Sequence, residues 1–318
     1  MPDAVLNSQI LCIGEAMVMV TPCEPIPLGA AELFRLSVGG AESTVALFLS
    51  EMGHRVAWAS RVGADPLGDR ILATLNSAGV DTSMVDRDAD APTGVYFKDP
   101  GPNGTRVLYY RGGSAASVMG PTTLDRLPLA TQGLVHFSGI VPALSTSCSD
   151  MANDLVGRGW GSHTILSFDV NFRPGLWPAA VAAPILLALS RKADIVFVGL
   201  DEAELLWGTR SANEVRSLIG TQNTLVVKDG AVGATEFEGS TVTFMPALNV
   251  EVREPVGAGD AFAAGYLSAL LHNADSSVRL SSGHEVAARA LATTSDFVAR
   301  ASLEMVKSDL AVDAREGS

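Results

Sequence analysis

The chain has 318 residues, 47% hydrophobic and 18% charged, enough apolar side chains for a large core and a length that suits one α/β domain over 1–318. A formal net charge of −13 argues against nucleic acid and anionic membrane as partners, because both require clustered Lys and Arg, but leaves room for a small phosphorylated ligand held locally. Cys12, Cys23 and Cys148 lack Cys-x-x-Cys spacing and indicate neither a disulfide framework nor a zinc site. With no basic-then-apolar leader, they point to the reduced cytoplasm.

Ile10-Leu11-Cys12-Ile13-Gly14-Glu15 is a short apolar run ending beside a glycine, the form of a buried strand that opens an α/β domain. Met17 to Val20 continues as extended chain. Val38-Gly39-Gly40-Ala41-Glu42 then leads into a helix striped by Val45, Phe48, Leu49 and Met52, with Gly53 as its C-cap. Two glycines before a helix let a ligand approach the backbone, or simply make a turn, and spacing alone does not separate the two. Asp65-Pro66 suits an N-cap and a first helical turn, so Asp65 reads as structural.

From Thr93 to Ser117, strands rich in aromatics flank a Pro100-Gly101-Pro102-Asn103-Gly104 turn, which predicts a hairpin. The hairpin interrupts the alternation of strands with helices. It is therefore expected to leave the main sheet and form a small β lid, built from about 15–38 and 93–117, that pairs with a second copy as a homodimer.

Val135 to Gly139 reads as the next core strand, and Thr164 to Arg173 as another that ends in Asp169, Asn171 and Arg173, where open α/β sheets place their ligands. Ala193 to Val198 is a buried strand, and Asp201 and Glu202 open the following helix as dipole partners. The run from Ala179 to Leu189 contains Pro184 and is too short to cross a bilayer. Leu225 to Lys228 runs into a glycine turn at Gly230 and Gly233. Asn249 to Arg253 alternates as a strand and enters Glu254-Pro255-Val256-Gly257-Ala258-Gly259-Asp260, after which Ala263, Leu267, Leu270 and Leu271 recur at helical spacing. Gly257 and Gly259 leave the first amides of that helix uncovered, an anion site. Asp260 is either a dipole partner or an acid placed to accept a proton from an attacking hydroxyl. A closing helix is expected from His284 to Arg300, and the polar residues 307–318 are expected to be disordered. Ala288 stands where a His-Glu-x-x-His helix needs its second histidine, and no P-loop motif is present.

Gly257-Ala258-Gly259-Asp260 resembles the C-terminal signature of the ribokinase-like PfkB carbohydrate kinases, Asp-Thr-x-Gly-Ala-Gly-Asp. The resemblance extends to Gly39-Gly40, to Gly-x-Asp-x-x-Gly at 63–68, to Asp-x-Asn-x-Arg at 169–173 and to Lys-x-Gly-x-x-Gly at 228–233. It implies a three-layer α/β/α sandwich with a mostly parallel central sheet and a small β lid, and an enzyme that transfers phosphate from ATP with Mg²⁺. By the same resemblance Asp260 is the catalytic base and the amides of Gly257, Ala258 and Gly259 form the anion hole. Gly40 contacts the sugar, Asn171, Lys228, Gly230 and Gly233 join Gly257 and Gly259 around ATP, and Glu202 serves the metal. The chain departs from the family pattern at Thr44 and Gly199, where asparagine is usual, and at Glu254-Pro255, which bears on any K⁺ site.

Tyr109-Tyr110-Arg111 followed by Gly113-Ser114-Ala115, with Leu176-Trp177, resembles the 2-dehydro-3-deoxygluconate kinase branch. That branch implies that Tyr96, Tyr109, Arg111 and Arg173 hold a sugar acid, guanidinium to carboxylate and phenols to alcohols. A solvated Arg111 on a lid strand is the plainer reading. A kinase of a neutral sugar or nucleoside, and a non-catalytic sugar-binding regulator on the same fold, remain the alternatives.

Overall fold

The computed structural model describes residues 9–102, 104–159, 164–250, 252, 256–292 and 297. Along the chain its strands are β1 (Gln9–Ile13), β2 (Met17–Pro22), β3 (Phe34–Gly39), β4 (Val56–Gly63), β5 (Val85–Asp88), β6 (Val95–Gly101), β7 (Gly104–Tyr110), β8 (Gln132–Ser138), β9 (Ile165–Asp169), β10 (Ile195–Gly199), β11 (Thr224–Asp229), β12 (Gly233–Glu238) and β13 (Thr241–Pro246). The helices that bear on the site are α1 (Ala41–Glu51), α2 (Pro66–Ser77), α3 (Leu200–Trp207), α4 (Ala258–Leu271) and α5 (Ser276–Leu291).

Among the described residues, nine strands join in the order β13-β12-β11-β10-β9-β8-β1-β4-β5. From β11 to β5 every pairing is parallel, and β12 and β13 add an antiparallel edge. Parallel strands need helices on both faces, and the sequence supplies apolar side chains to both. In β1, Leu11 and Ile13 join a core on one face, with Phe137, Phe168 and Leu186, while Ile10 and Cys12 join the other, with Phe48, Trp58 and Tyr266. At roughly 1.5–3 kcal/mol for each large apolar side chain taken out of water, these two layers dominate the folding free energy.

Four strands leave this sandwich and form a second sheet in the order β3-β2-β6-β7. They come from the two segments whose strand signals stood apart from the βα alternation. Tyr96 lies opposite Tyr109 in the antiparallel β6–β7 pair, and their rings are 5.7 Å apart. A strand exposes alternate side chains to opposite faces, so Val107 and Tyr109 share the face that looks over the main sheet's edge, and Arg111 just beyond β7 continues it. The opposite face carries Leu36, Val20, Phe97 and Leu108 in register across all four strands.

Asp65 is the N-cap it was read to be. Its Oδ1 accepts from the amides of Leu67 and Gly68 at 3.0 and 2.8 Å, and its Oδ2 accepts from Thr93 N at 2.8 Å. Burial would raise its pKa, but these donors outweigh it and hold the carboxyl below its ordinary value.

Two expectations are corrected. The described part of the expected strand Asn249 to Arg253, residues 249, 250 and 252, is not a strand. The edge strand β13 ends at Pro246, which has no N–H to donate, and the alternating residues beyond it instead border a cleft. The closing helix begins at Ser276, not His284, with Asp275 accepting from Val278 N at 3.0 Å as its cap. Gly283 lies inside it without breaking it, because a Cβ there would stand 2.8 Å from the Phe262 ring. The helix ends at Leu291 with Ala292 as its C-cap, and residues 293–296 and 298–300 of the expected helix and the tail 307–318 lie outside the described residues. No helix among the described residues is long and apolar enough to cross a membrane.

Candidate active site

Because β1, β8, β9, β10 and β11 run parallel, their C-terminal ends share one edge, and a cleft of about 900 Å³ opens there. Every site residue read from the sequence borders it. The second sheet contributes Tyr96 and Tyr109, with Arg111 following β7. The turn into α1 contributes Gly40, and the ends of β9 to β11 contribute Asn171, Arg173, Glu202 and Lys228. The β11–β12 turn adds Gly230 and Gly233, and the start of α4 adds Gly257, Ala258, Gly259 and Asp260.

The start of α4 has the form its glycines imply. Gly257 is the N-cap in a left-handed conformation, φ 84°, which a β-carbon would strain. The Lys228 ammonium stands 3.4 Å from where a Cβ on Gly259 would be, so the uncovered turn faces a cation rather than a side-chain wall. Asp260 is 9% exposed in the first turn, and its Oδ1 accepts from Asn171 Nδ2 at 3.0 Å.

Asn171 itself is held in an unusual way. Its φ is 40°, a left-handed value tolerated by asparagine, and its amide N–H donates to Asp169 Oδ1 at 3.2 Å. Asp169, 1% exposed, also receives the Lys228 ammonium at 2.8 Å on Oδ2, an ion pair between the ends of β9 and β11. Burial opposes the charge on Lys228, but Asp169 and Glu202 more than offset it and raise its pKa. Beneath this pair His136 is buried against Ser167, Nδ1 to Oγ 2.9 Å. Desolvation drives its pKa down to about 4, despite Asp169, so the ring is neutral.

Glu202 closes the first turn of α3, where its Oε2 accepts from Gly199 N at 2.9 Å. Burial pushes the carboxyl up, with the Lys228 ammonium opposing. Gly199, at the position where the family pattern has asparagine, leaves space that the neighbouring Asp201 carboxylate occupies, 2.5 Å from where a Cβ would be. Thr44 is 1% exposed inside α1, and Glu254-Pro255 lie outside the described residues. Gly40, with φ 155°, brings its Cα against the Glu15 carbonyl so closely that a Cβ would stand 2.4 Å from it.

Two carboxylates near the cleft were not singled out from sequence. Glu15 is 2% exposed and pairs with Arg111, and Glu42 is fully buried with its Oε1 accepting from Ser138 N and Oγ at 2.9 and 2.6 Å. The Glu42 partner is 96 residues away, so no local pattern signals it.

Residues 7–297 match the family model described as pfkB family carbohydrate kinase. The chain belongs to that family. It is a phosphotransferase acting on a sugar. This pfkB family chain is 38% identical to the 2-dehydro-3-deoxygluconokinase of Thermoproteus tenax over 269 residues, 82% of this chain and 81% of the other. It is 36% identical to the enzyme of the same name from Bacillus subtilis, over 81% of this chain and 82% of that one. Among solved structures, the PfkB protein from Polaromonas sp. JS666 superposes with a TM-score of 0.82 at 33% identity, covering 93% of this chain and 99% of that one. The 2-dehydro-3-deoxygluconokinase structure from Thermotoga maritima, at 24% identity and a TM-score of 0.83, covers 92% of this chain and 95% of that one and shares the fold.

Glu42 yields a pH signature for this family member. Burial raises its carboxyl to about 7, against the opposing bonds from Ser138. The folded-state value lies above the unfolded one, so the protein binds more protons folded than unfolded between them. Stability therefore falls as pH rises from ~4.3 to neutrality, by roughly 3 kcal/mol in all from this group. Glu42→Gln keeps an acceptor for Ser138 and removes the ionisation. Urea unfolding at pH 5 and pH 8 should show the variant gaining on the wild type at the higher pH, and equal differences at both would contradict a buried titrating Glu42.

Proposed function

We propose that the chain transfers the γ-phosphoryl group of ATP to the terminal primary hydroxyl of a sugar acid, converting 2-dehydro-3-deoxy-D-gluconate to its 6-phosphate. The observation that carries this reading is the cationic sugar end of the cleft. Arg173 stands exposed at its wall with no hydrogen-bonded or ion-paired partner among the described residues, its charge felt by the Glu202 carboxyl, and Arg111 lines the same cleft with Tyr96 and Tyr109. A neutral sugar has no use for a guanidinium without an ion-paired partner, whereas a carboxylate pairs with one through two parallel N–H bonds. The names of the relatives from Thermoproteus tenax and Bacillus subtilis agree.

In this reading the small sheet acts as a lid, and Gly40 lets the sugar meet main chain. Asp260 accepts the proton of the attacking hydroxyl, with the Asn171 amide fixing the orientation of its carboxylate. The amides of Gly257, Ala258 and Gly259, at the positive end of α4, receive the charge that develops on the migrating phosphoryl group. Lys228, Gly230 and Gly233 line the cleft, where this reading sets them beside the triphosphate. The residues suit Mg²⁺: Glu202 supplies one carboxylate, and no group of three or more His, Cys, Asp or Glu able to hold a metal occurs among the described residues. So sparse a donor set fits an ion that keeps its water and binds largely through phosphates. When bound, it neutralises charge on the phosphates as they separate.

The apolar outer face of the lid, where Phe34, Leu36 and Tyr110 are 41%, 37% and 66% exposed, supports pairing with a second copy. Sedimentation should give a mass of twice 33.1 kDa that Leu36→Glu reduces to the monomer, and a monomeric wild type would contradict the pairing.

A coupled assay of ADP release over a panel of sugar acids and neutral sugars tests the substrate. The expected result is turnover with 2-dehydro-3-deoxygluconate, and a KM for it that rises roughly 10–100-fold in Arg173→Ala while the KM for ATP holds. A wild type that prefers fructose, ribose or adenosine points to the neutral-substrate kinase, and no turnover with any compound points to a binder.

A further inference from the structure

Arg111 is not a free cation. Its guanidinium makes an ion pair with Glu15, which follows Gly14 at the C-terminal end of β1, and the two side chains are only 9% and 1% exposed. The second carboxylate oxygen of Glu15 accepts from Ser114 Oγ at 2.5 Å, and the Glu15 carbonyl is the atom against which Gly40 is pressed. One residue therefore touches the strand end, the segment after β7 and the glycine turn, the three pieces that meet at the sugar end of the cleft. Arg111 also lies over the Tyr109 ring, 5.8 Å from its centroid, and its buried Nε has no hydrogen-bond partner among the described residues.

Stability alone does not account for this arrangement. A buried ion pair is, on balance, no better than an apolar pair of the same volume, because desolvation consumes most of the attraction. What the pair changes is charge. Glu15 cancels the charge of Arg111, so of the two guanidiniums it is Arg173 that keeps its charge toward the cleft, tempered by the Glu202 carboxyl.

We propose that Glu15 is a positioning residue that fixes Arg111 and cancels its charge, so that the sugar end of the cleft offers a carboxylate one guanidinium, Arg173, and selects substrates with a single carboxylate. This rests on the sugar-acid reading above. Arg111 is then held in one place over the Tyr109 ring, and Arg173 carries the charge that the carboxylate meets. A substrate with two carboxylates would leave one unmatched, and a neutral one would leave Arg173 unmatched.

The test uses gluconate and glucarate, a mono- and a dicarboxylate of the same carbon skeleton, as competitive inhibitors of the sugar acid. Glu15→Gln preserves volume and an acceptor for Ser114 while removing the charge, so glucarate should gain on gluconate by about tenfold in the ratio of inhibition constants. Arg111→Met leaves Glu15 unbalanced and should move the ratio in the opposite direction. The double variant restores the net charge and should return the ratio to the wild-type value, although both compounds bind more weakly. It also removes both members of the buried pair, so it remains informative where a single variant folds poorly. A residue that merely holds the fold together would weaken both inhibitors alike. A ratio that stays constant across the variants, in a wild type that does bind gluconate, overturns the role of Glu15 and leaves the substrate reading intact. A wild type that binds neither compound overturns the sugar-acid reading itself.

Discussion

The Asp169–Lys228 ion pair holds the reacting end of this protein together. It joins the C-terminal ends of β9 and β11 at 2.8 Å, and Asp169 uses its other oxygen to hold the main chain of Asn171 in a left-handed turn. That turn aims the Asn171 amide at Asp260 on α4. A chain of charge-assisted bonds thus runs from the main sheet to the proposed base, with Asp169, Asn171 and Asp260 buried and Lys228 reaching the cleft. The Lys228 ammonium stands beneath the uncovered first turn of α4, so one cation both compensates Asp169 and adds to the positive end of the helix.

Charge is divided along the cleft. At the phosphate end, helix amides and Lys228 face Asp260 and Glu202, and the balance favours an anion that arrives with its own counter-ion. At the proposed sugar end, Arg111 is ion-paired with Glu15, and the charge of Arg173 is felt by Glu202 without an ion pair among the described residues. The protein's net charge of −13 says nothing of this, because recognition depends on the few charges that line the cleft.

Much of the site was legible in the sequence because its chemistry is written in local backbone geometry. Gly257-Ala258-Gly259-Asp260 can only be an uncovered helix start, and Asp65-Pro66 an N-cap. The hairpin around Gly101–Gly104 stood out because its strands follow each other without a helix. The resemblance to known kinases placed the remaining glycines and cations. What escaped were pairings made across the fold: Glu15 with Ser114 spans 99 residues, and Glu42 with Ser138 spans 96, and no periodicity or turn chemistry signals either. Asn249 to Arg253 was misread for the opposite reason. Its alternation is real, but the described residues 249, 250 and 252 all border the cleft and pair with no strand.

The central claim is that Asp260 removes the proton while the α4 amides hold the phosphoryl group. Rapid-quench measurement of the first turnover in Asp260→Asn, alongside calorimetric titration with ATP, addresses it most directly. An asparagine keeps the shape and the bond from Asn171 but accepts no proton, so the account predicts phosphoryl transfer slowed by about 10²–10⁴-fold with the ATP dissociation constant unchanged. A first turnover at nearly the wild-type rate would contradict it.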